Sequence, residues 1–103
     1  MAGVTLDTGA LIAIERGSPR MQALLDEAWA SASTIVVPAG VVAQAWRGQA
    51  KQARLALFLR QAVTEIAVLD EASARAVGVL CGRAGTSDIV DASVVLCARQ
   101  RAH

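Results

Sequence analysis

Apolar residues along this chain fall into two alternating rhythms, short continuous runs and helical stripes. Val4-Thr5-Leu6, Ile35-Val36-Val37 and Ile66-Ala67-Val68-Leu69 have the length and composition of short buried strands. The first run leads into a helix from Thr8 to Glu15, which Arg16-Gly17 ends. Ser18-Pro19 supplies an N-cap with proline at the first helical position. The helix it opens sets Met21, Leu24, Leu25, Ala28 and Trp29 on one face. Ser31 to Thr34 is a polar turn, and Pro38 stops the second strand. A helix from Ala39 to Arg47 then presents Val42, Ala45 and Trp46, and Gly48 breaks it. Another runs to Gln61 with Leu55, Phe58, Leu59 and Ala62 inward. After the third strand, Asp70 caps a helix from Glu71 to Gly82 whose inner face is Ala72, Ala76, Val79 and Leu80. The loop Arg83 to Thr86 delivers Ser87 as N-cap of a last helix, Asp88 to Arg101.

Short apolar strands alternating with helices predict an α/β fold, a short parallel sheet of three strands flanked by helices. The whole chain, 103 residues, reads as one domain with a real but modest core. Three strands make a narrow sheet, and no strand receives the last helix, so apolar area on that helix and on the sheet edge lacks cover. A shortened version of a larger domain is the first expectation, and a homodimer contact the second.

Composition narrows the setting. The 54% apolar fraction supports burial, yet charge or Pro/Gly interrupts every apolar run well short of the roughly 20 residues a membrane span needs. The start lacks a basic region and carries Asp7 inside its apolar stretch, unlike a signal peptide. A cytoplasmic protein without membrane contact is expected, with Cys81 and Cys97 as buried free thiols. These two cysteines and the single His103 do not make a zinc site. A net charge of +1 announces no nucleic-acid binder, but its distribution is uneven. No acid occurs from Ala28 to Thr64, while Arg47, Lys51 and Arg54 follow i, i+4, i+7 spacing. That stripe reads as a solvated helix face or, more sharply, as a phosphate-contacting one.

The chemistry lies in three aspartates in apolar surroundings: Asp7 after the first strand, and Asp88 and Asp91 at the start of the last helix. Ionised carboxylates in such settings are usually paired, hydrogen-bonded or metal-bound. Ligands of open parallel sheets collect beyond the carboxyl ends of the strands, where Asp7 falls. Asp88 and Asp91 are spaced to project from the same side of one helix. Plainer roles exist: Asp7 as a helix N-cap, and Asp88 as an acid favoured by the helix dipole. Mg²⁺ accepts two or three carboxylates with water, and supports phosphodiester hydrolysis without a His, Cys or Ser nucleophile. No Gly-rich phosphate loop is present, and Gly9 stands where an Asp-x-Asp phosphoryl acceptor needs its second acid.

The segments VTLDTGALIAIERG, TIVVPAGVVAQAWRG and GTSDIVDASVVLCARQ together resemble the PIN domain, with the closest likeness to the VapC-type toxins of bacterial toxin–antitoxin pairs. The likeness runs in order over essentially the whole chain and is specific in its combination of segments. It implies a PIN-like α/β/α sandwich, Mg²⁺- or Mn²⁺-dependent endoribonuclease activity on RNA, and a cognate antitoxin that binds and inhibits. By this resemblance Asp7 and Asp91 are metal ligands, and Asp88 is a further ligand or orients the metal's water. Thr8, Gln44 and Ser87 become supporting hydrogen-bonding groups, and Arg47, Lys51 and Arg54 weaker RNA contacts.

Two departures stand out. The family usually has Glu in the helix after the second strand, where this chain has Gln44, and no acid between Glu27 and Glu65 compensates. The family also continues into a strand with a Ser/Thr-x-Asp motif, a helix and a final strand, whereas this sequence stops at His103, as a shortened form or gene fragment would. These departures motivate the alternative of a catalytically weak or inactive PIN-like module that acts by binding protein.

Overall fold

Three parallel strands, β1 (Gly3–Thr5), β2 (Thr34–Pro38) and β3 (Thr64–Ala67), lie in the order β1-β2-β3, so β2 is central. This computed structural model describes residues 3–103. Six α-helices surround the sheet: α1 (Thr8–Glu15), α2 (Pro19–Ala30), α3 (Ala39–Ala45), α4 (Ala53–Leu59), α5 (Glu71–Ala84) and α6 (Ile89–Gln100). The α/β class with a three-stranded parallel sheet is therefore as expected.

Strand alternation gives the sheet two unlike faces. Val4 is in register with Ile35, and Val37 with Ile66. Val4, Ile35 and Val37 meet the main core, built with Leu6, Leu11, Ile14, Leu25, Val41, Leu55 and Phe58. Each fully buried aliphatic side chain there contributes about 1.5–3 kcal/mol. The opposite face carries Thr5, Val36 and Glu65, which are in register across the three strands. Here Arg101, at the end of α6, pairs with Glu65, and Thr5 Oγ1 shares a 2.8 Å hydrogen bond with His103 Nδ1. A smaller cluster of Val77, Cys81 and Ala92 joins α5 to α6. Both cysteines are free and buried, as expected.

Helix starts follow the capping chemistry in the sequence. Ser18 accepts from the Met21 N–H with Pro19 at the first turn, and Asp70 accepts from the Ser73 N–H. Hydrogen bonding to Ser73 holds the Asp70 carboxyl below its ordinary value. Gly85 ends α5 in the left-handed conformation, at φ +67°, and Thr86 N–H then reaches back to Cys81 O.

Several expected boundaries and faces are corrected. β3 covers 64–67 rather than 66–69, because Val36 pairs with Glu65 and the polar Thr64 enters the ladder. Val68 and Leu69 are left outside it, Val68 72% exposed. α3 ends at Ala45, so Trp46 and Arg47 lie past its end and Trp46 is exposed. A 3-10 turn, Ala50–Gln52, precedes α4, and Ala62 lies beyond that helix and is exposed. On α2, Leu24 is exposed while Leu25 is buried. On α5 the buried residues are Val77 and Cys81, with Ala72 and Val79 facing solvent. That helix packs mainly on α6, so only a narrow stripe is covered. Uncovered apolar side chains occur at both expected places, Ile89 and Val95 on α6 and Ile66, Val68 and Leu69 by the outer strand. Among the described residues, no helix is long and apolar enough to cross a membrane.

Candidate functional site

Asp7 leaves β1 and caps α1, its Oδ1 accepting from the Ala10 N–H at 2.9 Å. Asp88 caps α6 in the same way, accepting from the Asp91 N–H at 3.0 Å. The cap of α6 is thus Asp88 and not Ser87, which is exposed in the preceding loop. The Asp88 N–H itself donates to Thr86 Oγ1 at 3.1 Å, so a small polar turn fixes the cap residue. Asp91 sits in the first turn of α6, where the helix dipole favours a negative charge. All three carboxylates are exposed. Leu6, Val90 and Ala92 beside them are covered while the acids face out, and capping alone accounts for the placement of Asp7 and Asp88.

Asp7 and the pair Asp88 and Asp91 come from opposite ends of the chain. The Asp88 charge holds the Asp91 carboxyl above its ordinary value of 3.8, helped by a side-chain hydrogen bond between the two, by partial loss of hydration and by the Asp7 charge. Each ionised carboxylate therefore raises the cost of ionising Asp91. The fold brings α1, α3 and α6 together around this spot, with α3 packed on both other helices.

Gln44 of α3 reaches the site through Thr8, whose hydroxyl donates to Gln44 Oε1. One turn earlier on the same helix face, Gly40 lies against α6. A methyl group there would sit 3.7 Å from Val90 Cγ2 and 3.9 Å from Ser93 Oγ. Thr8, next to Asp7 in the chain, is thus tied to Gln44, whereas no described hydrogen bond links Ser87 to the acids.

The expected basic stripe is absent. Arg47 lies beyond the end of α3, Lys51 in the 3-10 turn and Arg54 in α4, so the three do not share one helix. Gly48, at φ +68°, turns the chain between them. The Arg47 guanidinium donates to Ala43 O and Trp46 O, and Arg54 packs over Gly17. All three remain exposed, but helical spacing no longer aligns them.

A residue outside the expected set holds this loop. Gln52 is 2% exposed; its Nε2 donates to Glu15 Oε1 at 2.6 Å and to Ala45 O at 2.9 Å. Its Oε1 accepts from the Arg47 N–H at 2.8 Å. It closes the end of α3 and ties it to the end of α1. No hydrophobic pattern marks such a residue, because its burial is set by the backbone groups it satisfies.

The acids supply hard oxygen donors, the type that Mg²⁺ and Mn²⁺ prefer. Among the described residues, no three acidic, His or Cys side chains converge on a common point that could hold a metal ion. A cation that takes one or two carboxylates and keeps its waters fits such a set, whereas an all-protein cage does not. Comparison of the chain with protein-family models, with curated proteins and with solved structures returns no match.

Proposed function

We propose that this chain is a Mg²⁺- or Mn²⁺-dependent endoribonuclease of the PIN type, the toxin partner of a toxin–antitoxin pair. The observation that supports the reading is that α3 packs on both α1 and α6, the helices whose starts carry Asp7 and the adjoining pair Asp88 and Asp91. The Asp88 charge raises Asp91, and no described ion pair answers it, a setting that a divalent cation would relieve. Asp7 and Asp91 would hold the ion, and Asp88, already bonded to the Asp91 N–H, would bind it or orient its water. When bound, the cation supplies Lewis-acid charge and an activated water. The chain's own groups orient the reaction: Asp7 and Asp88 are held at helix starts, and Thr8 fixes the Gln44 amide. Arg47, Lys51 and Arg54 would add only separate, salt-sensitive contacts to RNA phosphates. A cytoplasmic setting, a homodimer and an antitoxin partner complete this reading through the family likeness.

A second reading is a PIN-like protein-binding module with little or no catalysis. It is favoured by Gln44, whose amide bonds to Thr8 and brings no charge where the family usually has an acid. The two separate in one assay. Purified protein is titrated with Mg²⁺ or Mn²⁺ and given structured RNA, beside Asp7→Asn. Metal-dependent cleavage lost in the variant supports the nuclease, and cleavage unchanged in the variant contradicts the assigned site. Absence of cleavage by either protein, with tight binding of a small partner protein, favours the binding module.

A further inference from the structure

Only one side of β3 is paired. The Leu6 N–H donates to Val36 O at 2.9 Å, so the backbone groups of Val36 point to β1 and those of Ile35 and Val37 point to β3. With Val37 in register with Ile66, the parallel ladder engages Glu65 and Ala67, and the N–H and C=O of Ile66 point away from the sheet. No described bond engages either group, whereas the Thr64 N–H, on the same side, turns back to Gln61 O at 3.0 Å. Edge strands are commonly blunted by Lys, Pro or a bulge. From Val63 to Leu69 there is no Lys, Arg or Pro, and the register with β2 runs without a bulge. Val63 and Val68 are 59% and 72% exposed. Glu65 carries the one charge of this stretch, and Arg101 pairs with it. The opposite edge differs: β1 has three residues, and a methyl group on Gly3 would collide with the His103 ring.

We propose that β3 pairs with β3 of a second copy of this chain, antiparallel about a two-fold axis at Ile66, which joins the two three-stranded sheets into one. The edge is self-complementary in this register. Ile66 of each copy exchanges both backbone bonds with Ile66 of the other, and the Val68 N–H meets the free C=O of Thr64. Ile against Ile and Val against Thr are β-branched pairs, which pack well across strands. Glu65 faces Ala67, so no like charges meet, whereas an axis at Glu65 would oppose two carboxylates. The contact is isologous and closes at two copies. Four residues a side make a small interface, so the association is of the weak, reversible class. The pairing needs neither RNA nor a metal and does not rest on the ribonuclease reading.

The test is sedimentation of the full chain through the micromolar range, without RNA or metal. Wild type should show a reversible monomer–dimer equilibrium. Val68→Lys puts a charge on the pairing edge at an exposed position outside the ladder. It should weaken the dimer roughly tenfold or more, with circular dichroism and Tm unchanged. Ile66→Cys reads the register, because residues paired in this way have Cα atoms about 5.5 Å apart, within reach of a disulfide. Mild oxidation should cross-link that variant, but not Leu69→Cys, which falls opposite Val63 of the other copy. Cys81 and Cys97 are buried, so wild-type protein is the blank. Wild type that stays monomeric throughout overturns the proposal and leaves the edge to a strand of another protein. A dimer that Val68→Lys leaves unchanged, or cross-linking no greater with Ile66→Cys than with Leu69→Cys, overturns it by placing the contact elsewhere.

Discussion

Replacing Gln52 by Met removes three hydrogen bonds at nearly constant volume. Gln52 is buried, and it satisfies Ala45 O and the Arg47 N–H, two backbone groups at the end of α3, besides meeting Glu15. Stranding a buried backbone donor or acceptor costs about 1–3 kcal/mol each. Glu15 is only half-buried and turns to water, so it adds little. Some burial of the apolar Met offsets the loss, which leaves a net destabilisation of about 2–4 kcal/mol. Against the roughly 5–15 kcal/mol of a whole domain this is severe. It corresponds to a fall in Tm of about 10–25 °C for a chain of this size. Urea unfolding followed by far-ultraviolet circular dichroism measures it, and Trp46 at the start of the affected loop offers a local fluorescence probe. A change below about 0.5 kcal/mol would mean that water or a shifted loop satisfies those groups, and would refute the clamp.

Three other perturbations have defined outcomes. The folded state holds the Asp91 proton more tightly than an isolated carboxyl does, so ionising Asp91 costs stability as pH rises from 3.8 through its raised value. Asp91→Asn should therefore raise Tm at neutral pH and low salt, with the gain vanishing near pH 3 and shrinking at high salt; a gain that persists at pH 3 contradicts the repulsion. Asp88→Ala should cost about 1 kcal/mol through the lost cap, whereas Asp88→Ser keeps the cap and nearly wild-type Tm while losing Mn²⁺ affinity. Equal Tm for the two variants would show that the cap contributes nothing. Leu11→Ala, at a fully buried core position, should cost about 2–5 kcal/mol in chemical denaturation, and a loss under 1 kcal/mol would contradict the packing described.

The elements were legible where local chemistry and hydrophobic rhythm agreed. Ser18-Pro19 and Asp70 announce helix starts in the sequence, and both cap as expected. Ile35-Val36-Val37 reads as a buried strand, and it lies at the centre of the sheet with both faces covered. β3 was displaced because an edge strand need not be apolar on both faces, so Thr64 and Glu65 pair while Val68 and Leu69 stay out. The inner face of α5 depends on which part of α6 it meets, which periodicity alone does not specify. At the site, apolar sequence context marks the aspartates without burying them, and it does not reveal that the Asp88 charge raises Asp91. Ser87 and Asp88 both suit a cap by residue type, and only the Thr86 turn decides for Asp88. The basic stripe failed for a similar reason, since the left-handed turn at Gly48 and the Gln52 clamp end the helical register that sequence spacing assumes.

A divalent cation held by Asp7, Asp88 and Asp91 is the centre of the proposed function. Mn²⁺ binding followed by electron paramagnetic resonance, in wild-type protein beside Asp7→Asn and Asp91→Asn, asks this without needing the RNA target. The expected result is saturable binding that Mg²⁺ displaces and that weakens at least tenfold in each variant, although the variants keep their fold. Equal Mn²⁺ affinity in all three proteins, or no saturable binding by the wild type, would contradict the account.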